Sequence, residues 1–187
     1  LYLANQAVRS CFDGLDVLYI TLEMSEDRVA QRLDSIFTRI KQAELKDRVD
    51  SIKGRMKEIT KTATSEGSSL GKLKIKEFPT KRASINSIRS YLVQLKNYED
   101  FVPDVIIIDY LELLMTDSSL AEYQAQERLA QELRGLAIEN NCLVWTATQT
   151  NREGKKVNLI TDTELADSYG KTRVCDLVFS VNQTEQE

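Results

Sequence analysis

The chain has 187 residues, with 25 Lys and Arg against 29 Asp and Glu for a formal net charge of −4, and it is 42% hydrophobic and 29% charged. That length and balance suit one soluble domain with a substantial core, and they exclude disordered, collagen-like and membrane-spanning classes. There is no His, which removes Ser-His-Asp and Cys-His nucleophilic schemes and every zinc site that needs imidazole, so any chemistry rests on carboxylates, amides, Lys and Arg.

In chain order, Leu1-Tyr2-Leu3-Ala4 reads as a helix already under way, with neither a Met nor a basic leader before it. The run Val17 to Leu22 is strand-like, and Ser25 is placed to cap the helix that follows, with Glu26 and Asp27 suiting its positive end. Val29, Leu33, Ile36 and Ile40 share one face of that helix. Leu45, Val49, Ile52, Met56 and Ile59 repeat at helical spacing among charged residues, giving an amphipathic helix that either packs on its own domain or contacts another subunit. Thr62 to Gly71, rich in Ser, Thr and Gly, reads as a flexible surface loop, so 41–71 is a helical excursion within the domain.

A second strand is expected over Lys74 to Phe78, then a helix capped by Ser84 with Ile85, Ile88, Leu92 and Leu95 inward. A third strand follows over Val105 to Ile108, a helix carrying Leu129, Leu133 and Leu136, and a fourth strand over Leu143 to Ala147. Asp176 to Val181 gives a fifth. Continuous apolar strands alternating with helices predict an α/β fold: a mainly parallel sheet covered by helices on both faces, in a single domain. Cys11, Cys142 and Cys175 are widely spaced, the last two in runs read as buried strands, which fits a reduced, cytoplasmic compartment.

Ligands of parallel α/β sheets bind beyond the carboxyl ends of the strands, which here carry Glu23, then Asp109 and Tyr110, then Gln149, Asn151 and Arg152. An Asp directly after four apolar β-formers is the Walker B pattern, whose carboxylate holds Mg²⁺ beside nucleotide phosphates; a strand-end Asp also serves as a turn former or cap. Glu23 is either a solvated residue leading into a helix or a carboxylate that orients an attacking water. Gln149 either satisfies local backbone groups or hydrogen-bonds a γ-phosphate. A phosphate cradle, G-x-x-x-x-G-K-[ST], is missing. Gly67 to Leu73 is one residue short between glycines, and Gly170-Lys171-Thr172 has Leu165 where the first Gly belongs.

These residues resemble those of DnaB-type replicative helicases. Thr21-Leu22-Glu23-Met24-Ser25 is similar to their S-L-E-M-S segment, with Arg32-Leu33 at the matching distance. Ile107-Ile108-Asp109-Tyr110-Leu111-Glu112-Leu113 resembles I-D-Y-L-Q-L, with Glu112 in place of Gln, and Thr148-Gln149-Thr150-Asn151-Arg152 resembles S-Q-L-N-R. The resemblance implies a RecA-like P-loop NTPase core, ATP and Mg²⁺ as ligands, a homo-hexameric ring with ATP between neighbours, and translocation on single-stranded DNA. It further implies a primase and a helicase loader as partners and no membrane association. Glu23 would be the catalytic carboxylate, Asp109 the magnesium-associated acid with Tyr110 beside it at the nucleotide, and Gln149 a switch between γ-phosphate and DNA. Arg152, Lys155 and Lys156 would contact DNA, with a solvated loop tip as the alternative for Lys155 and Lys156.

The family's phosphate loop and its C-terminal finger strand have no counterpart here, so the expectation is a segment of the ATPase domain, cut at both ends and inert in hydrolysis alone. A recombinase-like or protein-remodelling RecA-type ATPase, and a non-catalytic RecA-fold interaction protein, are the rival readings. The pI near 5.1 argues against a basic outer surface, while leaving DNA binding to a few cations in a channel.

Overall fold

A computed structural model describes residues 1–116, 119–149 and 169–181. Its elements are α1 (Tyr2–Phe12), β1 (Val17–Thr21), α2 (Glu26–Thr38), a 3₁₀ turn (Gln42–Asp47), α3 (Val49–Ser65), β2 (Leu73–Glu77), α4 (Ile85–Glu99), β3 (Val105–Asp109), a second 3₁₀ turn (Leu111–Leu113), α5 (Glu122–Asn140), β4 (Leu143–Thr146) and α6 (Tyr169–Val174). The four strands are all parallel, in the order β2-β1-β3-β4.

β1 is buried along its whole length and β3 up to Ile108, because both of their faces are covered. On one face Leu18, Ile20, Leu22, Ile106 and Ile108 pack against α4 and α5 through residues such as Ile88, Leu95, Leu133 and Leu136. On the other, Val17, Tyr19, Val105 and Ile107 meet Ala7, Val8 and Cys11 of α1 and Val29 and Leu33 of α2. Strands covered in this way have no use for polar alternation, which is why these two read as uninterrupted apolar runs. β2 lies at an edge and alternates, with Lys74 and Lys76 between Leu73, Ile75 and Glu77, a pattern that discourages pairing with a foreign strand. The doubly covered parallel sheet is the architecture the sequence leads one to expect.

Several local expectations need correction. The apolar residues Leu45 to Ile59 do not form one helix. Leu45 is buried in the 3₁₀ turn, the backbone breaks at Arg48, and α3 begins at Val49 with no fully buried residue of its own. α3 then runs into the segment whose composition suggests a loop. The hydroxyls of Thr60, Thr64 and Ser65 donate to carbonyls four residues back, and the helix stops only before Gly67, at φ 75°, where the chain turns and Gly67 and Ser68 bond back to Thr64 and Ala63. α2 ends before Ile40, at a left-handed Arg39.

Ser84 caps α4 through a reciprocal bond with Ser87, whereas Ser25 occupies the cap position of α2 without a side-chain bond. Asp176 to Val181 forms no strand. Phe179 packs edge-on against Tyr2 and Trp145, and ring packing of this kind does not require backbone pairing with β4. Cys175 is accordingly exposed, Cys142 half-buried and Cys11 buried, all as free thiols. Among the described residues, no helix is long and apolar enough to cross a membrane.

Candidate functional site

The strand order makes the site. From β1 the chain moves outward to β2, then returns past β1 to β3 and continues in the opposite direction to β4. The helices flanking β1 and β3 also lie on opposite faces, α1 and α2 on one, α4 and α5 on the other. At the carboxyl ends of β1 and β3 the connecting chains therefore diverge and leave a crevice, the usual ligand position in an open α/β sheet.

Register brings the predicted residues to this crevice. Thr21 lies directly opposite Asp109, and Ile108 opposite Thr146. Glu23 is two residues past Thr21 and Gln149 three past Thr146, so three neighbouring strand ends present Glu23, Asp109 and Gln149 on one edge. Glu23 and Gln149 are exposed, while Asp109 and Tyr110 are half-buried. The peptide between Asp109 and Tyr110 is cis.

Local bonding fixes the first of these ends. The Thr21 hydroxyl donates to the Met24 carbonyl at 2.8 Å and accepts from the Met24 amide at 3.1 Å, closing a tight turn around Glu23. Within that turn the Leu22 amide donates to the Asp109 carbonyl at 3.2 Å, and the Thr80 hydroxyl donates to the Leu22 carbonyl. Glu23 thus projects from a backbone tied to β3 on one side and to the chain after β2 on the other. Burial raises the Tyr110 phenol above its ordinary pKa, and the charges of Glu23, Glu112 and Asp109 raise it further.

Asp109 has a partner that sequence reading missed. The Tyr19 hydroxyl, on a residue only 3% exposed, donates to Asp109 Oδ2 at 2.7 Å. Burial pushes the Tyr19 phenol well above its ordinary value, the bond to Asp109 and that carboxylate's charge add to the shift, and the Arg32 guanidinium of α2 opposes it. A buried Tyr needs a partner for its hydroxyl, and Tyr19 shares strand parity with Thr21, which pairs with Asp109. That parity is the available signal, but it becomes visible only when the β1–β3 register is known.

Asp109 Oδ2 is engaged by the Tyr19 hydroxyl. Among the described residues no group of three or more acidic, Cys or His side chains is arranged to hold a metal. A lone strand-end carboxylate suits Mg²⁺, which keeps most of its waters and takes its remaining ligands from phosphates, and does not suit a cation that needs an all-protein cage. Two surface clefts, one lined by Arg134, Cys142 and Asp176 and the other by Ser84, Met115 and Leu129, include none of Glu23, Asp109 or Gln149. Arg152, Lys155 and Lys156, the expected DNA contacts, lie outside the described residues.

Beyond Asp109 and before Gln149 lies a second group that the sequence does not announce. Lys171 of α6, 6% exposed, donates to Glu112 Oε1 at 2.9 Å and to the Thr148 hydroxyl at 3.0 Å, and it also reaches Gln126 Oε1 of α5. In the sequence Lys171 stands out only as the end of a failed phosphate-loop match, and Glu112 only as a departure from Gln. Nothing in their spacing shows that they meet.

Compared with known families, residues 1–178 match the DnaB-like helicase C terminal domain. The chain is 33% identical over 180 residues to the DnaB-like replicative helicase of Enterobacteria phage T4, covering 92% of this chain and 37% of that protein. Among solved structures it resembles a DnaB-like replicative helicase studied with its interactions with primase, and a second chain that is an ATPase domain. Both give a TM-score of 0.70 at 19% identity over 94% of this chain, covering 42% and 62% of those chains respectively. The structural likeness speaks for the fold. The chain spans less than two thirds of the length of each of these relatives.

Proposed function

The chain belongs to the DnaB-like helicase C-terminal domain family, and from that premise we propose that it is the RecA-like ATPase core of a replicative DNA helicase, coupling ATP hydrolysis to movement along single-stranded DNA. The observation that supports the reading is the position of Glu23, Asp109 and Gln149 at or just past three adjacent strand ends, where the sheet's connections diverge. Phosphoryl transfer to water needs little covalent help from a protein. It needs an oriented nucleophile and compensation of charge as the phosphate separates.

Glu23, exposed at the tip of the Thr21–Met24 turn, accepts a hydrogen bond from the attacking water and aligns it with the γ-phosphate. Asp109, held by the Tyr19 hydroxyl, would hold Mg²⁺ through its water shell. Mg²⁺ supplies charge neutralisation across the phosphate oxygens when bound. Tyr110 lines the same edge. Gln149 donates its amide to the γ-phosphate and reports its loss to the chain that follows, where Arg152, Lys155 and Lys156 contact DNA phosphates. A few such contacts per subunit, repeated in a hexameric ring, grip a strand even though the chain carries a net charge of −4. The reading also includes a cytoplasmic location and, as partners, a primase and a helicase loader.

Unwinding of a forked DNA duplex by the full-length gene product tests this function. ATP with Mg²⁺ should release the labelled strand, and a non-hydrolysable ATP analogue should not. Hydrolysis without unwinding would favour a recombinase or protein-remodelling ATPase, and absence of nucleotide binding would leave a non-catalytic interaction protein.

A further inference from the structure

Two sequence features remain unused by that function, Glu112 and Gly170-Lys171, and the fold brings them together. Lys171 Nζ has three protons to donate, and among the described residues it has acceptors from three parts of the chain: Glu112 in the turn after β3, Gln126 in α5 and Thr148 beyond β4. Thr148 accepts from Lys171 and donates its own proton to Glu112 Oε1, so the hydroxyl is used in both senses. Gly170 allows the approach. A Cβ there would come within 2.6 Å of Glu127 Oε2 on α5.

The position of this cluster gives it a consequence for the site. The β3–β4 ladder ends at Ile108 and Thr146. Past it, backbone contact between the two chains continues through the Leu111 amide on the Ala147 carbonyl at 3.2 Å. The next link is the side-chain triad Glu112–Lys171–Thr148. Glu112 is three residues after Asp109, and Thr148 immediately precedes Gln149. We propose that Lys171, through Glu112 and Thr148, is the positioning residue that fixes Gln149 relative to Asp109, and so sets the rate of the chemical step without touching nucleotide.

A buried ion pair is a poor source of net stability, because desolvation offsets most of the attraction, yet removal of one partner strands the other charge. Glu112 is already near that limit, with Oε2 buried and without a hydrogen-bond partner among the described residues. Loss of Lys171 alone should therefore displace Glu112 and release Thr148. Neutralising both partners should let the Thr148 contact survive through the amide that takes the place of the Glu112 carboxylate.

The inference rests on the ATPase reading, and its test separates the two. In the full-length gene product, with saturating single-stranded DNA, Lys171→Met should lower kcat by at least about tenfold while KM for ATP stays within about threefold. Adding Glu112→Gln to that chain should return kcat to within about threefold of the unsubstituted protein. Thr148→Val, which leaves no stranded charge, should lower kcat in the same direction with an unchanged unfolding midpoint, and it decides the matter if Lys171→Met does not fold. Exchange of the Leu111 amide, which donates to the Ala147 carbonyl beside this cluster, should quicken in Lys171→Met and Thr148→Val, a readout that needs no turnover. Unchanged kcat and exchange in both variants would overturn the proposal, and so would effects of Lys171→Met and Glu112→Gln that multiply independently. If the full-length gene product turns over no ATP while exchange at Leu111 quickens as stated, the ATPase reading falls and the link among Glu112, Lys171 and Thr148 stands.

Discussion

Replacing Tyr19 with Phe removes one oxygen from a residue that is 3% exposed and deprives Asp109 Oδ2 of its 2.7 Å donor. A hydrogen bond to a charged acceptor contributes about 1.5–3 kcal/mol, so near pH 8 the variant should be less stable by about 2 kcal/mol. The pH dependence gives the sharper figure. Tyr19 holds its proton in the fold far above its ordinary value of 10.0, first through burial and then through Asp109. Above that value the unfolded chain releases the proton and the folded chain keeps it. The stabilisation is therefore complete below pH 10 and declines as pH rises, by about 1.4 kcal/mol per unit.

At about pH 11 the difference between the original chain and Tyr19→Phe should shrink by about 1.4 kcal/mol, because Phe has no proton to retain. Cys11 and Cys142, pushed up to about 12 and about 11 by burial and then by Asp16 and Asp104, titrate alike in both chains and cancel. Urea denaturation followed by circular dichroism at the two pH values measures the difference. A stability difference constant to within about 0.5 kcal/mol between them would refute the assigned hydrogen bond and the burial of the phenol.

Further expectations concern the frame that carries the site. Ser84→Ala should destabilise the chain by about 1 kcal/mol, since Ser84 and Ser87 satisfy each other's amides at the start of α4; Ser25→Ala, with no side-chain bond to lose, should change the thermal midpoint far less. Gly71→Ala would place a Cβ 1.9 Å from the Leu15 carbonyl oxygen, so the chain leading into β2 must move, at a loss on the order of 2 kcal/mol by denaturant titration.

The sheet and the strand ends are legible in the sequence for a physical reason. Val105 to Ile108 and Val17 to Ile20 are apolar throughout because both faces of the sheet are covered, and the polar residue directly after such a run marks the strand's carboxyl end. What escapes the sequence depends on meetings between distant segments. Tyr19 contacts Asp109 across 90 positions and Lys171 contacts Glu112 across 59, and each pairing follows from strand register or helix docking that no local pattern encodes. Helix ends are misread where polar side chains act on the backbone. Thr60, Thr64 and Ser65 turn hydroxyls inward to their own helix, so a segment whose composition suggests a loop continues α3. Asp176 to Val181 shows the reverse error, since its strand-like apolar residues engage Tyr2 and Trp145 through the Phe179 ring without a place in the ladder.

The proposed function turns on Glu23 orienting the water that would attack ATP at the β1 and β3 strand ends. Single-turnover and steady-state ATP hydrolysis by the full-length gene product carrying Glu23→Gln, with single-stranded DNA present, measures this alongside the affinity for a fluorescent ATP analogue. The expected result is a fall in kcat on the order of a thousandfold with affinity essentially retained, because Gln keeps the shape of Glu23 and loses its charge. Hydrolysis within a factor of about three of the unsubstituted protein would contradict that role.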